Sequence, residues 1–239
     1  MDKSSHFLFY ADDLTSVTVI LDDTESRHAA SVLRISAGQM LQVTDGNGTL
    51  ATGTCRTGSD RRLVVTISTR TVLPRNKPEL YLCTGLPERD AFETILINAT
   101  ALGVTRIIPV AADFCQKKWW AGWEKLALRF RQKMIAALKQ SQNVYLPTLT
   151  PPCTLTEAIH RSESTTMLLA DSSGNSLHRI SVQKNLPISC FIGPPGGFSE
   201  EELRQFSERS ALPVRIAPAR LRTELAATVL CGQIIGIGL

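Results

Sequence analysis

Ile192-Gly193-Pro194-Pro195-Gly196-Gly197-Phe198-Ser199-Glu200-Glu201-Glu202 joins an apolar run, Ile188 to Ile192, to a loop of glycine and proline and then to a helix start. Ser199, with Glu202 three residues on, fits a capping box, so a helix is predicted to begin directly after the loop. Farther along, the short apolar strand Val214 to Ile216 runs into Ala217-Pro218-Ala219-Arg220-Leu221-Arg222-Thr223-Glu224 and a final helix predicted from Leu221 to Ile237. The chain therefore holds two successive strand-loop-helix junctions. Glycine without a Cβ lets main chain approach a ligand closely, although either segment alone also reads as an ordinary turn.

Working outward, strands and helices alternate upstream: Leu80 to Thr84, helix Glu88 to Leu102, Arg106 to Val110, helix Gly122 to Gln142, helix Leu155 to His160, Thr166 to Ala170, Ile188 to Ile192 and helix Glu200 to Ser210. That alternation predicts an α/β fold with a parallel sheet covered on both faces. The helix from Gly122 carries an apolar stripe of Trp123, Leu126, Phe130, Met134, Ala137 and Leu138, which reads as core packing.

The first third differs. Short β segments, Phe7 to Tyr10, Val17 to Leu21, Met40 to Thr44, Leu50 to Cys55 and Leu63 to Ile67, are separated by turns such as Asp45-Gly46-Asn47-Gly48 and by one helix, Glu25 to Arg34. This predicts a small β-barrel. The polar, proline-bearing stretch Leu73-Pro74-Arg75-Asn76-Lys77-Pro78 reads as a boundary, dividing the chain into residues 1–73 and 74–239.

The 239 residues suffice for two modest domains or one large one, and 43% hydrophobic with 20% charged content reads as soluble and globular. Six scattered cysteines include no CxxC and no Cys/His pair at zinc spacing, so free thiols, a cytoplasmic location and no metal are expected. No basic start precedes an apolar run, and the longest apolar segment, Leu225 to Leu239, is too short to span a membrane. The net charge of +4 is uneven: residues 1–75 and 146–239 each hold eight basic and eight acidic residues, whereas 76–145 hold ten and six. There Lys117, Lys118, Lys125, Arg129, Arg131, Lys133 and Lys139 accompany one acid, Glu124. Such a cluster suits a phosphate backbone, or is a solvated helix face. GxGxxG, Walker A and GxSxG motifs are missing, which argues against dinucleotide, nucleotide-hydrolysis and serine-hydrolase chemistry.

The two junctions, in this order, resemble the RsmE-type 16S rRNA uridine methyltransferases of the SPOUT superfamily. Further pieces agree: Arg27-His28, Val32-Leu33-Arg34-Ile35, Gly38-Gln39 and Leu41-Gln42-Val43-Thr44-Asp45-Gly46 near the start, then Ala101-Leu102-Gly103-Val104 before Arg106-Ile107-Ile108-Pro109. The resemblance implies an N-terminal PUA-like barrel that grips RNA and a SPOUT-type sheet with a C-terminal trefoil knot. It also implies a homodimer that transfers a methyl group from S-adenosyl-L-methionine to N3 of a uridine in small-subunit ribosomal RNA, free or in the assembled subunit.

On that resemblance, cofactor contacts are expected from Leu169, Ala170, Ile192, Gly193, Pro194, Gly196, Gly197, Ile216, Leu221 and Thr223. The aliphatic members equally suit a plain core role. RNA contacts are expected from Arg27, His28, Arg34, Lys125, Arg129 and Lys133. Arg222 is the candidate for stabilising charge on the uracil as its imide proton leaves, because a guanidinium presents a rigid fork of donors. Pairing with Glu224 or a helix end is the alternative. The chain departs from the family at Pro195, where an acid is usual, and at Asn98, Ala101 and Asn143. Those departures keep two other readings open: an RNA-binding homologue with a degraded pocket, and a methyltransferase acting on another RNA such as tRNA.

Overall fold

A computed structural model of the chain describes residues 7–115, 119–180 and 186–237. Lys117 and Lys118 of the basic segment lie outside the described residues. Two compact units emerge, Met1–Arg75 with Ile135–Leu146, and Asn76–Met134 with Pro147–Leu239.

In the first unit, β1 (Leu8–Tyr10), β2 (Thr18–Ile20), β3 (Met40–Thr44), β4 (Thr49–Thr57) and β5 (Leu63–Val72) form one sheet in the order β1-β3-β4-β5-β2. It is antiparallel except between β1 and β3, and its two open edges make it a half-barrel. Alternating residues Leu41 and Val43, Ala51 and Cys55, and Val65 and Ile67 turn inward onto Phe9, Leu21 and Ala29. The Asp45 carboxylate accepts from the backbone N–H of Asn47 at 2.7 Å and of Thr49 at 3.2 Å, while Gly46 and Gly48 adopt φ of 74° and 101°, so the β3–β4 turn rests on Asx and glycine chemistry. Asp22 caps α1 (Asp23–Arg27), which widens into a π-helical turn over His28–Val32, so the predicted helix Glu25 to Arg34 begins and ends earlier than expected.

In the second unit six parallel strands stand in the order β11-β9-β10-β6-β7-β8. They are β6 (Leu80–Gly85), β7 (Arg106–Val110), β8 (Thr148–Leu149), β9 (Thr166–Ser176), β10 (Ile188–Ile192) and β11 (Leu212–Arg215). All five residues of β10 are buried, as expected of a parallel strand covered on both faces. On one face Cys83, Ile108 and Phe191 pack with Leu155 and Ala158 of α4 (Leu155–His160) and Phe206 of α5 (Glu200–Glu208). On the other, α6 (Thr223–Gly236) packs on β6, β10 and α2 (Arg89–Ala101). The amphipathic helix α3 (Trp123–Gln140) contributes its part up to Met134 to this unit, burying Phe130 and Met134, and the Phe130 ring meets Phe92 of α2 edge-on at 5.4 Å; from Ile135 on, with buried Ala137 and Leu138, it belongs to the first unit.

Several strands differ from expectation: β11 lies at Leu212–Arg215 rather than Val214 to Ile216, and β5 runs past Ile67 to Val72 because β4 pairs with it as far as Thr49. Strand β8 was not predicted, because two residues carry no period. Strand β9 continues past Ala170 to Ser176 because it pairs with β11, a partner supplied from beyond residue 210.

Candidate functional site

Because the six strands are parallel, their carboxyl ends share one edge of the sheet, the usual ligand side of open α/β folds. Strand β10 ends there in the glycine loop. The Gly197 N–H donates to the Pro194 carbonyl at 2.8 Å and closes a turn, with Gly197 at φ +83°. Gly85, at the end of β6, leaves room for the Pro194 ring, which a Cβ would collide with. A Cβ on Gly193 would lie 3.2 Å from the Gly197 Cα, and one on Gly196 would lie 2.6 Å from Cβ of Phe114. Close contacts thus favour glycine at 85 and 196, and the positive φ favours it at 197.

The second loop, between β11 and α6, is tied to the first. Thr223 Oγ1 donates to the Gly193 carbonyl at 3.1 Å, Arg220 Nη2 donates to the Pro195 carbonyl at 3.0 Å, and Gln233 Nε2 donates to the Ile216 carbonyl at 3.1 Å. A third loop comes from β9. Its partners on β11 jump from Leu169↔Pro213 to Asn175↔Val214, so Ala170–Gly174 leave the ladder as an excursion braced by Asp171, whose carboxylate accepts from the Ser173 N–H at 2.7 Å.

These bonds bring Gly193, Pro194, Gly196, Gly197 and Thr223 together, with Ile216 and Leu221 partly exposed on the second loop and Ala170 opening the third. Leu169 and Ile192 are buried in their strands. Arg222 occupies the N-cap position of α6 with no side-chain capping bond; its side chain is exposed, and among the described residues it makes no ion pair. Of the alternatives, pairing with Glu224 is not found among the described residues, and at the helix end Arg222 takes part through its backbone, not its side chain.

The α5 N-terminus knits a further strand end into this edge. Glu202, only 4% exposed, accepts from the Ser199 N–H at 2.8 Å and from the Asp113 N–H at 3.0 Å, while Ser199 Oγ donates to Asp113 Oδ2 at 2.6 Å. Gly85, Asp113 and Phe114 were not singled out by the sequence. The available signal was positional: Gly85 ends the apolar strand β6, and Asp113 and Phe114 stand three and four residues past the end of β7.

The basic positions divide. Arg27, His28 and Arg34 are exposed on the first unit, and Lys125 is exposed on α3. Arg129 and Lys133, however, converge on Glu93 of α2, which is 6% exposed: Lys133 Nζ lies 2.9 Å from Oε2, and Arg129 Nη2 lies 3.0 Å from Oε1 without a well-aligned hydrogen bond to it. Burial pushes the Glu93 carboxyl up, but the hydrogen bond and charge of Lys133, with Arg129 and Arg89, outweigh it and hold the group below the usual carboxylate range. Lys139 pairs with buried Glu25. The expectation that only Glu124 faces this segment's cations is corrected, because two carboxylates arrive from other elements.

The departures also find local roles. Asn98 Nδ2 donates to Thr228 Oγ1 of α6 at 3.0 Å, and Asn143 Oδ1 accepts from the Val144 N–H at 2.9 Å. All six cysteines are free, and burial pushes the Cys83 thiol up to about 12, so it supplies no nucleophile. No helix among the described residues is long and apolar enough to cross a membrane.

The family profile described as RNA methyltransferase domain matches residues 74–235, and that described as RNA methyltransferase PUA domain matches residues 21–68. Ribosomal RNA small subunit methyltransferase E of Mycobacterium tuberculosis is 26% identical over 236 residues, spanning 95% of this chain and 90% of that protein. The protein of the same name from Synechocystis is 28% identical over 237 residues, spanning 93% and 74%. Among solved structures, a Ribosomal RNA small subunit methyltransferase E from Neisseria gonorrhoeae bound to S-adenosyl methionine superposes with a TM-score of 0.85 at 26% identity, covering 97% of each chain.

Proposed function

The chain belongs to the RNA methyltransferase domain family, and on that premise we propose that it is an S-adenosylmethionine-dependent methyltransferase of small-subunit ribosomal RNA, acting at N3 of a uridine. The observation that carries this reading is the edge where three loops meet, tied by Thr223 to Gly193, in a chain of which 95% aligns with a small-subunit rRNA methyltransferase.

The residues fit the cofactor. Gly193, Gly196 and Gly197 present main chain without a Cβ, and at Gly197 nothing lies within 4 Å of where a Cβ would stand. Ile216 and Leu221 supply apolar walls, and Ala170 borders the pocket from the third loop. The cofactor supplies an electrophilic methyl group. N3 of uridine is a poor nucleophile until its imide proton leaves, and the resulting charge spreads onto the two flanking carbonyl oxygens. Exposed, and without an ion pair among the described residues, Arg222 is free to place its guanidinium against that charge.

Residues 1–73 are assigned to RNA binding through Arg27, His28 and Arg34, and residues 74–239 to cofactor binding and methyl transfer. Lys125 is the clearest of the α3 cations for RNA, since Arg129 and Lys133 are engaged by Glu93. A trefoil knot is supported by the insertion of β10 between β9 and β6, with α6 then packed on β6 and β10. A homodimer is supported by Leu225 and Ile235, which α6 leaves exposed. A cytoplasmic site of action follows from the substrate.

The test is to compare ribosomal RNA from cells with and without the gene for loss of 3-methyluridine, and then restore the mark with purified protein and S-adenosylmethionine. A protein that binds no cofactor is the degraded-pocket homologue. Loss of a modification from tRNA, with ribosomal RNA unchanged, moves the substrate to that class.

A further inference from the structure

We propose that Phe114 is a stacking platform for a base of the substrate RNA, held at the mouth of the glycine loop. Phe114 is 50% exposed although it belongs to the segment directly following β7, on the carboxyl edge of the sheet. Among the described residues it has no aromatic partner, whereas Phe92, Trp119, Trp123 and Phe130 all pack ring against ring. Exposing a phenyl ring forgoes the burial that elsewhere stabilises this fold.

The position is not a loose loop. Its neighbour Asp113 is fixed twice, by its N–H to buried Glu202 at 3.0 Å and by Oδ2 to Ser199 Oγ at 2.6 Å. On the other side the Cys115 N–H donates to the Ala112 carbonyl at 3.1 Å. The same Ser199 and Glu202 cap α5, so one network sets both the end of the glycine loop and the backbone carrying Phe114. Cβ of Phe114 comes so near Gly196 that no side chain fits there. A half-exposed aromatic residue on an anchored backbone, beside a main-chain cradle, suits a flat π-face. Because every base has one, such a ring binds single-stranded RNA by stacking, and RNA recognition characteristically uses splayed-out bases on aromatic side chains.

This rests on the function proposed above, and the experiment keeps the two separable. In the full-length protein, Phe114→Ala, Phe114→Leu and Phe114→Trp are compared in three measurements: S-adenosylmethionine titration, binding of a single-stranded oligouridylate without cofactor, and methyl transfer to small-subunit ribosomal RNA from cells lacking the gene. Alanine and leucine should weaken oligouridylate binding and raise the KM for ribosomal RNA roughly tenfold to a hundredfold. Tryptophan should restore both, and cofactor affinity should stay within twofold in all three. Leucine performing as well as phenylalanine would show that apolar bulk suffices and overturn the proposal, as would alanine with unchanged RNA binding. A wild-type protein that binds oligouridylate through Phe114 but transfers no methyl group would instead overturn the functional reading and leave the stacking site standing. Melting temperatures check folding, and the leucine variant covers a failure of alanine to fold.

Discussion

Thr223 donates its hydroxyl to the Gly193 carbonyl at 3.1 Å, so the first residue of α6 holds the first residue of the glycine loop. Thr223 is itself buried. Thr223→Val keeps the shape and removes the donor, leaving the Gly193 carbonyl without this partner at a cost of about 1–3 kcal/mol. Isothermal titration should show cofactor affinity falling about tenfold, while RNA binding is unchanged. Unaltered cofactor affinity would remove this tie from the pocket.

Gly196→Val should abolish cofactor binding, because its Cβ would lie 2.6 Å from Cβ of Phe114, which the Asp113 network holds in place. Gly197→Ala fails differently. Open space surrounds that position, but φ of +83° strains any L side chain, so the loop should bind more weakly without a clash. Near-normal binding by a folded Gly196→Val protein would take the loop out of the site.

Burying Glu93 between Arg129 and Lys133 gives an acid-sensitive prediction. Its carboxyl titrates below its unfolded value, so its contribution to stability is complete above the ordinary carboxylate range and is lost as pH falls through the lowered native value. Glu93→Gln should lower the melting temperature at neutral pH and flatten the acid side of the melting-temperature profile. A parallel, merely shifted profile would mean the pairing contributes nothing.

The same pairing splits the test of RNA binding. A Lys125/Arg129/Lys133 triple alanine strands Glu93 as well as removing positive charge, so lost RNA binding in it has two causes. Lys125 pairs with no acid among the described residues, so Lys125→Ala alone should weaken RNA binding with a shallower salt dependence, the slope falling by about one phosphate's worth. An unchanged slope would make Lys125 a solvated residue of the helix face.

Much of this was legible in the chain. Met40–Thr44, Arg106–Val110, Leu155–His160 and Ile188–Ile192 were bounded correctly, because an apolar run or a capped amphipath flanked by turn residues carries its own limits. The excursion in β9 was not: Asp171-Ser172-Ser173-Gly174-Asn175 reads as a turn ending a strand, and only pairing with β11 carries the strand onward. Nor was the convergence on Glu93, since a buried acid and the cations that neutralise it stand 36 and 40 residues apart in sequence. Phe114 left no signal beyond its position after β7, because one aromatic residue has no period.

Arg222 combines three properties that point to chemistry rather than support. It caps α6 through backbone geometry alone, its side chain is exposed, and no acid among the described residues claims its charge. A structural arginine would show a partner. Removing it therefore exposes no buried charge, and Arg222→Ala should melt near the wild-type temperature and titrate S-adenosylmethionine normally. The loss should appear in the chemical step, at about 2.7 to 4 kcal/mol of barrier, the range for removing one donor from a developing anion. Lysine should rescue poorly, since a point charge does not reproduce the planar fork. Single-turnover methyl transfer to small-subunit RNA measures this directly. A wild-type rate in Arg222→Ala, or a loss that tracks unfolding, would hand the charge to another group.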